Sequence, residues 1–225
     1  MDSFIWILLI ASFGLIFWAQ YKVKSNYKKW SVVTTSSGIT GEHAARKLLD
    51  INGLFDVDVE PVKGTLTDHY DPTKRVVRLS NDVFYGNSIS SLSIASHEVG
   101  HAIQHKESYS MLVIRHKMAP VLKFTSGLAP VLIIGGFLFE AFNLIGLGIV
   151  FFATVVVFQL VTLPVEFNAS SRARGLIVAE GFINSNEEKG VQQVLNAAAL
   201  TYVASALYAT LELLRYIMIF SRMRD

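Results

Sequence analysis

The chain has 225 residues, of which 52% are hydrophobic and 17% charged, against roughly 25% charged in an average soluble domain. Twenty Lys and Arg against 18 Asp and Glu leave a net charge of +2, which argues against a nucleic-acid binder and against a disordered polyelectrolyte. With no cysteine, disulfides, thiolate metal sites and a cysteine nucleophile are excluded, so any metal must be held by His, Asp or Glu.

The first apolar run, Ser3 to Tyr21, has no charged residue. Asp2 precedes it, and Lys22, Lys24, Lys28 and Lys29 follow. A cleavable signal peptide has the opposite order of charges. The run is therefore read as an uncleaved anchor over residues 1–21, with its C-terminal end in the cytoplasm by the positive-inside rule.

About ninety residues of mixed character come next. Thr40 to Asp50 predicts a short helix with Thr40 as N-cap and Gly53 just past its end. Residues 57–62 and 74–80 are rich in β-branched side chains and flank the Asp71-Pro72 turn, so both read as strands. Asn81 to Asn87 is a connector. Ser88 to His105 predicts a helix, with Ile89, Leu92, Ala95, Val99, Ala102 and Ile103 as its apolar set.

From Phe124 to Val165 there is one charged residue, Glu140. That length matches two spans of about 20 residues each, so a helical hairpin is expected, roughly 122–139 and 144–163, with Glu140 at the turn. Arg115, His116 and Lys117 stand before it, and Arg172 and Arg174 after it, which puts both ends on the cytoplasmic side. Pro164 to Glu180 predicts a separate helix with proline in its first turn. Ala197 to Phe220 is apolar but carries Glu212 and Arg215, three apart on one helical face. It reads equally as a fourth span and as a helix packed against the hairpin or lying at the interface.

The helix over 88–105 contains His97-Glu98-Val99-Gly100-His101. Residues four apart lie on one face, about 6 Å along the axis, so His97 and His101 can both reach one ion, while Glu98, about 100° round, can reach a water on it. The competing account is a pair of interfacial histidines on an amphipathic helix. A catalytic zinc needs a third protein ligand and an open position. His105 is about 12 Å along the helix from His97, too far to share an ion with the pair. His116, His69 and His43 are further candidates. Glu166 is the better one, because a hairpin returns its exit close to its entry, although a glutamate near a helix start can simply offset the helix dipole.

These residues carry a resemblance. HEVGHAIQH, an apolar hairpin and then LPVEFNASSRA resemble the bacterial membrane-bound neutral zinc metallopeptidases, the YugP-like proteins. An N-terminal anchor, TSSGITGEHAARKLLD and GTLTDHYDP extend the likeness over nearly the whole chain. HExxH, hairpin and Glu-Phe-x-Ala are more distantly similar to the HtpX-type membrane proteases. There the second-motif glutamate is the third zinc ligand, which corresponds to Glu166, and an Asp usually stands four residues later, where this chain has Ser170.

The expected molecule is a mainly α membrane protein: an N-terminal transmembrane anchor (1–21), a small α+β zincin-like catalytic region (22–117), a transmembrane helical hairpin (118–164), and a third-ligand helix with an apolar C-terminal helix (165–225). The implied activity is that of a zinc metalloendopeptidase. Its Zn2+ would sit on His97, His101 and Glu166, with Glu98 as general base. It would be a multi-pass protein of the cell membrane, its site facing the cytoplasm. The implied partners are the lipid bilayer and a peptide or membrane-protein substrate, with no nucleic acid. Val76–Ser80 is a candidate strand for pairing with an extended substrate, and Tyr70 or Arg172 a candidate for stabilising the oxyanion. The alternatives are a non-catalytic metal-binding scaffold or sensor and, more remotely, a transporter component.

Overall fold

The computed structural model describes residues 2–224; Met1 and Asp225, which fall in the first and last expected segments, lie outside the described residues. In chain order the elements are α1 (Asp2–Ser31), α2 (Gly41–Ile51), β1 (Asp58–Val62), β2 (His69–Asp71), β3 (Val76–Ser80), α3 (Asn81–Phe84), α4 (Ile89–Lys106), α5 (Ser110–Leu138), α6 (Phe142–Ala179) and α7 (Glu188–Arg224). The chain is thus mainly helical, with one small mixed sheet. Four of the helices, α1, α5, α6 and α7, are long and apolar enough to cross a membrane.

The residues form two compact units. The first gathers Ala19–Ser110 with Val165–Leu200 and has an ordinary globular core. Leu48 and Leu49 of α2, Val77 and Leu79 of β3, and Leu92 and Val99 of α4 are all 0% exposed. Ile177 from the tail of α6 and Val191 from the start of α7 join the same cluster, and Tyr27 and Trp30 from the end of α1 pack against it. Each aliphatic side chain so buried contributes roughly 1.5–3 kcal/mol.

Local chemistry fixes the ends of its elements. The Thr40 hydroxyl accepts from the His43 amide at the start of α2, and Gly53 takes a φ of +66° beyond its end. Ser88 caps α4, accepting from the Ser91 amide at 3.1 Å. The sheet order is β1-β3-β2, with β1 parallel and β2 antiparallel to β3. This corrects the expectation for Val76–Ser80: β3 is the central strand, paired with β1 along its length and with β2 over Val76–Arg78, while the Ser80 amide is taken by Asp68, so it offers no open edge to an extended substrate. The three-residue β2 was read from the sequence only as turn chemistry, because a strand so short has no periodicity to detect.

The second unit comprises, among the described residues, those up to Trp18, Met111–Pro164 and those from Thr201 onward. Helices α5 and α6 meet at a turn in which Glu140 adopts a φ of +51°. The Ala141 amide donates to the Gly136 carbonyl at 2.8 Å, the Schellman closure of a helix end. The two helices approach closely at Gly148, where an added Cβ would lie 2.6 Å from Ile133 Cγ1. A Thr125–Thr154 hydroxyl contact of 2.6 Å also joins them. On α7, Glu212 and Arg215 pair through Arg215 Nε at 2.9 Å, and the guanidinium lies over the rings of Trp6 and Tyr216.

Several helix boundaries differ from the sequence reading: α1 runs on to Ser31, Asn81–Phe84 of the expected connector is helical, α5 already starts at Ser110 and α7 at Glu188. Pro164 does not open a new helix; α6 runs without a break from Phe142 to Ala179 with Pro164 inside it. Proline's missing amide and its clash with the preceding turn make it a helix breaker in water, but long apolar helices tolerate it because neighbouring helices and local backbone adjustments re-satisfy the freed groups. The same holds for Pro120 and Pro130 inside α5.

Candidate metal centre

The centre belongs wholly to the globular unit and is built where α4 meets the tail of α6. Gly100 makes that approach feasible. A Cβ there would lie 2.7 Å from the Ala169 carbonyl oxygen, so only a residue without a side chain fits. Ser96 on α4 and Ala169 and Ala173 on α6 are small and fully buried. Small residues on facing helices let the backbones come together.

That approach brings Glu166 to the histidine pair. Glu166 Oε2 lies 3.3 Å from His97 Nε2 and 3.6 Å from His101 Nε2. The three donor atoms all fall within 4.8 Å of one another. Ligands about 2.0–2.1 Å from a tetrahedral zinc stand about 3.3 Å apart, so the observed spacing fits such an ion. The donor chemistry fits as well: two imidazole nitrogens and a carboxylate oxygen converge, an arrangement that repels itself unless a proton or a cation lies between. The Glu166 side chain is 4% exposed and each imidazole 13%, which leaves the more open side at the histidines.

Both remaining imidazole nitrogens are also engaged. His97 Nδ1 is 3.2 Å from the Ser170 hydroxyl, and His101 Nδ1 is 3.0 Å from Gln104 Oε1. Burial alone would hold the His101 pKa down, but Glu166 and Glu98 outweigh it and push it above the ordinary imidazole value.

Glu98 is 8% exposed. Its Oε2 accepts from the backbone amide of Tyr70 at 3.0 Å, so β2, the strand absent from the sequence reading, is what holds this carboxylate. The Tyr70 hydroxyl contacts His105 Nδ1 at 2.8 Å, which ties β2 to α4 a second time. Behind them Asp68 accepts from the Ser80 amide at 2.7 Å. Burial pushes the Asp68 carboxyl above its usual range, and the Glu98 charge adds to the effect.

The other candidates fall elsewhere. His105 is engaged by Tyr70. His69 and His43 are exposed and bonded locally, to the Thr67 carbonyl and the Thr40 hydroxyl. His116 is exposed on α5. Arg172 bonds Asn168 Oδ1 at 2.7 Å and Glu107 at 2.6 Å, which holds the Glu107 carboxyl below its usual range. Two residues of this neighbourhood, Gln104 and Asn168, went unnoticed in the sequence. The available signal was a polar side chain three residues after His101, and helix periodicity does not separate such a residue from a solvent-facing one.

Fold and site together define a membrane protein with a buried His-His-Glu cluster of the kind that holds a divalent metal. A family model described as "Putative neutral zinc metallopeptidase" matches residues 5–221, and the chain belongs to that family. It is similar to the "Putative membrane protease YugP" of Bacillus subtilis (strain 168), with 66% identity over 218 residues, 97% of each chain. No solved structure gives a significant match.

Proposed function

We propose that this chain is a zinc-dependent endopeptidase whose metal is held by His97, His101 and Glu166 and whose general base is Glu98. The observation that carries the reading is the meeting of Glu166 with the histidine pair at 3.3 and 3.6 Å, beside a carboxylate held by a backbone amide. Zinc bound there would supply Lewis acidity, lowering the pKa of a water toward ~7 and polarising the scissile carbonyl.

The chain's own residues account for the proton's path. Glu98 takes a proton from the attacking water and delivers it to the leaving amine, a role worth about 10²–10⁴ in rate. The Tyr70 amide occupies Glu98 Oε2, which leaves Oε1 for this exchange and fixes the carboxylate's rotation. That restraint also separates this reading from a metal-binding scaffold, which has no use for an oriented but non-ligating carboxylate.

The site is proposed to face the cytoplasm at the membrane surface. Lys22, Lys24, Lys28 and Lys29 follow the first apolar run, and Arg115 and Lys117 precede the hairpin, whereas its turn carries Glu140 and no Lys or Arg. Four spans would leave both termini outside, with Arg222 and Arg224 as the exceptions to the charge rule. Thr65→Cys should be modified by a membrane-impermeant thiol reagent in inverted vesicles and protected in intact cells; the reverse pattern would invert the topology.

The decisive variant is Glu98→Gln. It should bind zinc as wild type does and cleave a membrane-protein substrate about 10²–10⁴ times more slowly. Cleavage at the wild-type rate refutes the mechanism. Stoichiometric zinc in a wild-type protein that cleaves no amide bond would favour the scaffold.

A further inference from the structure

We infer that Gln104 is a positioning residue that fixes His101 in its Nδ1–H form and latches it to the helix carrying Glu166. The inference rests on the metal reading above and concerns how the ligands are held. Gln104 is 0% exposed, and a buried amide must place its donor and acceptor ends correctly or lose hydrogen bonds.

Here the amide has only one workable orientation. Gln104 Nε2 donates to the Val165 carbonyl at 2.8 Å and to Asn168 Oδ1 at 2.9 Å. A backbone carbonyl can only accept, so the nitrogen of Gln104 must face it. Asn168 agrees independently: Arg172 Nε, which can only donate, points at the same Oδ1 at 2.7 Å. With its nitrogen so committed, Gln104 presents Oε1 to His101 Nδ1 at 3.0 Å. An acceptor there requires a proton on Nδ1, and that leaves the Nε2 lone pair, the one aimed at Glu166, free for a metal.

The second consequence is mechanical. Val165 immediately precedes Glu166, so one side chain holds a ligand on α4 and the backbone next to a ligand on α6. His97 is held differently. Its Nδ1 partner is the Ser170 hydroxyl, which can rotate to donate or accept and imposes no tautomer. The two imidazoles are therefore unequal, and His101 is the one whose chemistry the protein dictates.

The test uses the full-length protein in detergent, with zinc affinity measured by competition against a chelator. Gln104→Met, similar in size but without hydrogen bonds, should weaken zinc about 10–100-fold, the usual effect of losing a partner behind a ligand. Asn168→Asp keeps the acceptor that Gln104 and Arg172 share and should stay within about threefold of wild type, whereas Asn168→Leu should fall about tenfold. Ser170→Ala should cost less than Gln104→Met. In 15N-histidine spectra of the zinc-loaded protein, His101 should carry a protected Nδ1 proton, and Gln104→Met should lose that protection. Unchanged affinity in Gln104→Met, equal losses in the two Asn168 variants, or zinc on His101 Nδ1 would overturn the inference while leaving the metal site standing. A wild-type protein that takes up no zinc would overturn both.

Discussion

The two compact units treat the same kinds of side chain in opposite ways. In the globular unit the large aliphatic residues are enclosed, with Leu48, Leu79 and Leu92 at 0% exposure. In the other unit Ile10 is 70%, Val131 64% and Val150 62% exposed. In water such surface would drive aggregation. In a bilayer it costs nothing, because lipid tails are as apolar as the side chains, and helices there associate through close packing and hydrogen bonds instead. One unit is held by the hydrophobic effect, the other by fit. The candidate centre lies in the unit governed by the hydrophobic effect, yet its key contact, Gly100 against Ala169, is of the close-packing kind.

Four measurements test this contrast. The largest effect is expected from Gly100→Val. The added branches have no space beside the Ala169 carbonyl, so α4 and α6 must part, and metal analysis of the purified protein should find less than about a tenth of the wild-type zinc if overpacking separates the ligands. Normal zinc content would show that the helix contact is not what assembles the site.

Next comes the globular core itself. Leu92→Ala should destabilise that unit by about 2–5 kcal/mol in denaturant unfolding, whereas Val131→Ala, at an exposed position of a candidate span, should stay within about 0.5 kcal/mol. Equal effects would erase the distinction between the units. An intermediate effect is expected from pH. A proton and a metal compete for His101 Nε2, and the His101 pKa is raised above 6.5 by its carboxylate neighbours. Zinc affinity should therefore be steady at high pH and fall about tenfold per unit as pH drops through that raised value. An affinity unchanged down to pH 5 would exclude His101 as a ligand. The smallest effect belongs to the hairpin: Thr154→Val removes the hydroxyl contact with Thr125 and should cost about 0.6 kcal/mol, the average for such bonds within membranes.

Much of this was legible without coordinates. Charge-free stretches mark membrane helices by length alone, since a span must satisfy its backbone internally. His97, Glu98 and His101 are legible because helix geometry turns a spacing of four into a shared face. The Thr40 cap was readable for the same local reason. Glu166 was reachable only through the connectivity of the hairpin, and Pro164 misled because its helix-breaking rule is written for water.

What the sequence determined by itself, then, were the properties set by neighbours along the chain: periodicity, caps, span length and the two histidines on one turn. Tertiary structure alone decided that a three-residue strand would hold Glu98 by the Tyr70 amide, that β3 would be central, and that a buried Gln104 would join His101 to the Val165 carbonyl. Those contacts link residues 28 and 61 positions apart. A hydrogen bond across such a distance leaves no periodic trace in the sequence, because its geometry exists only once the chain has folded back on itself.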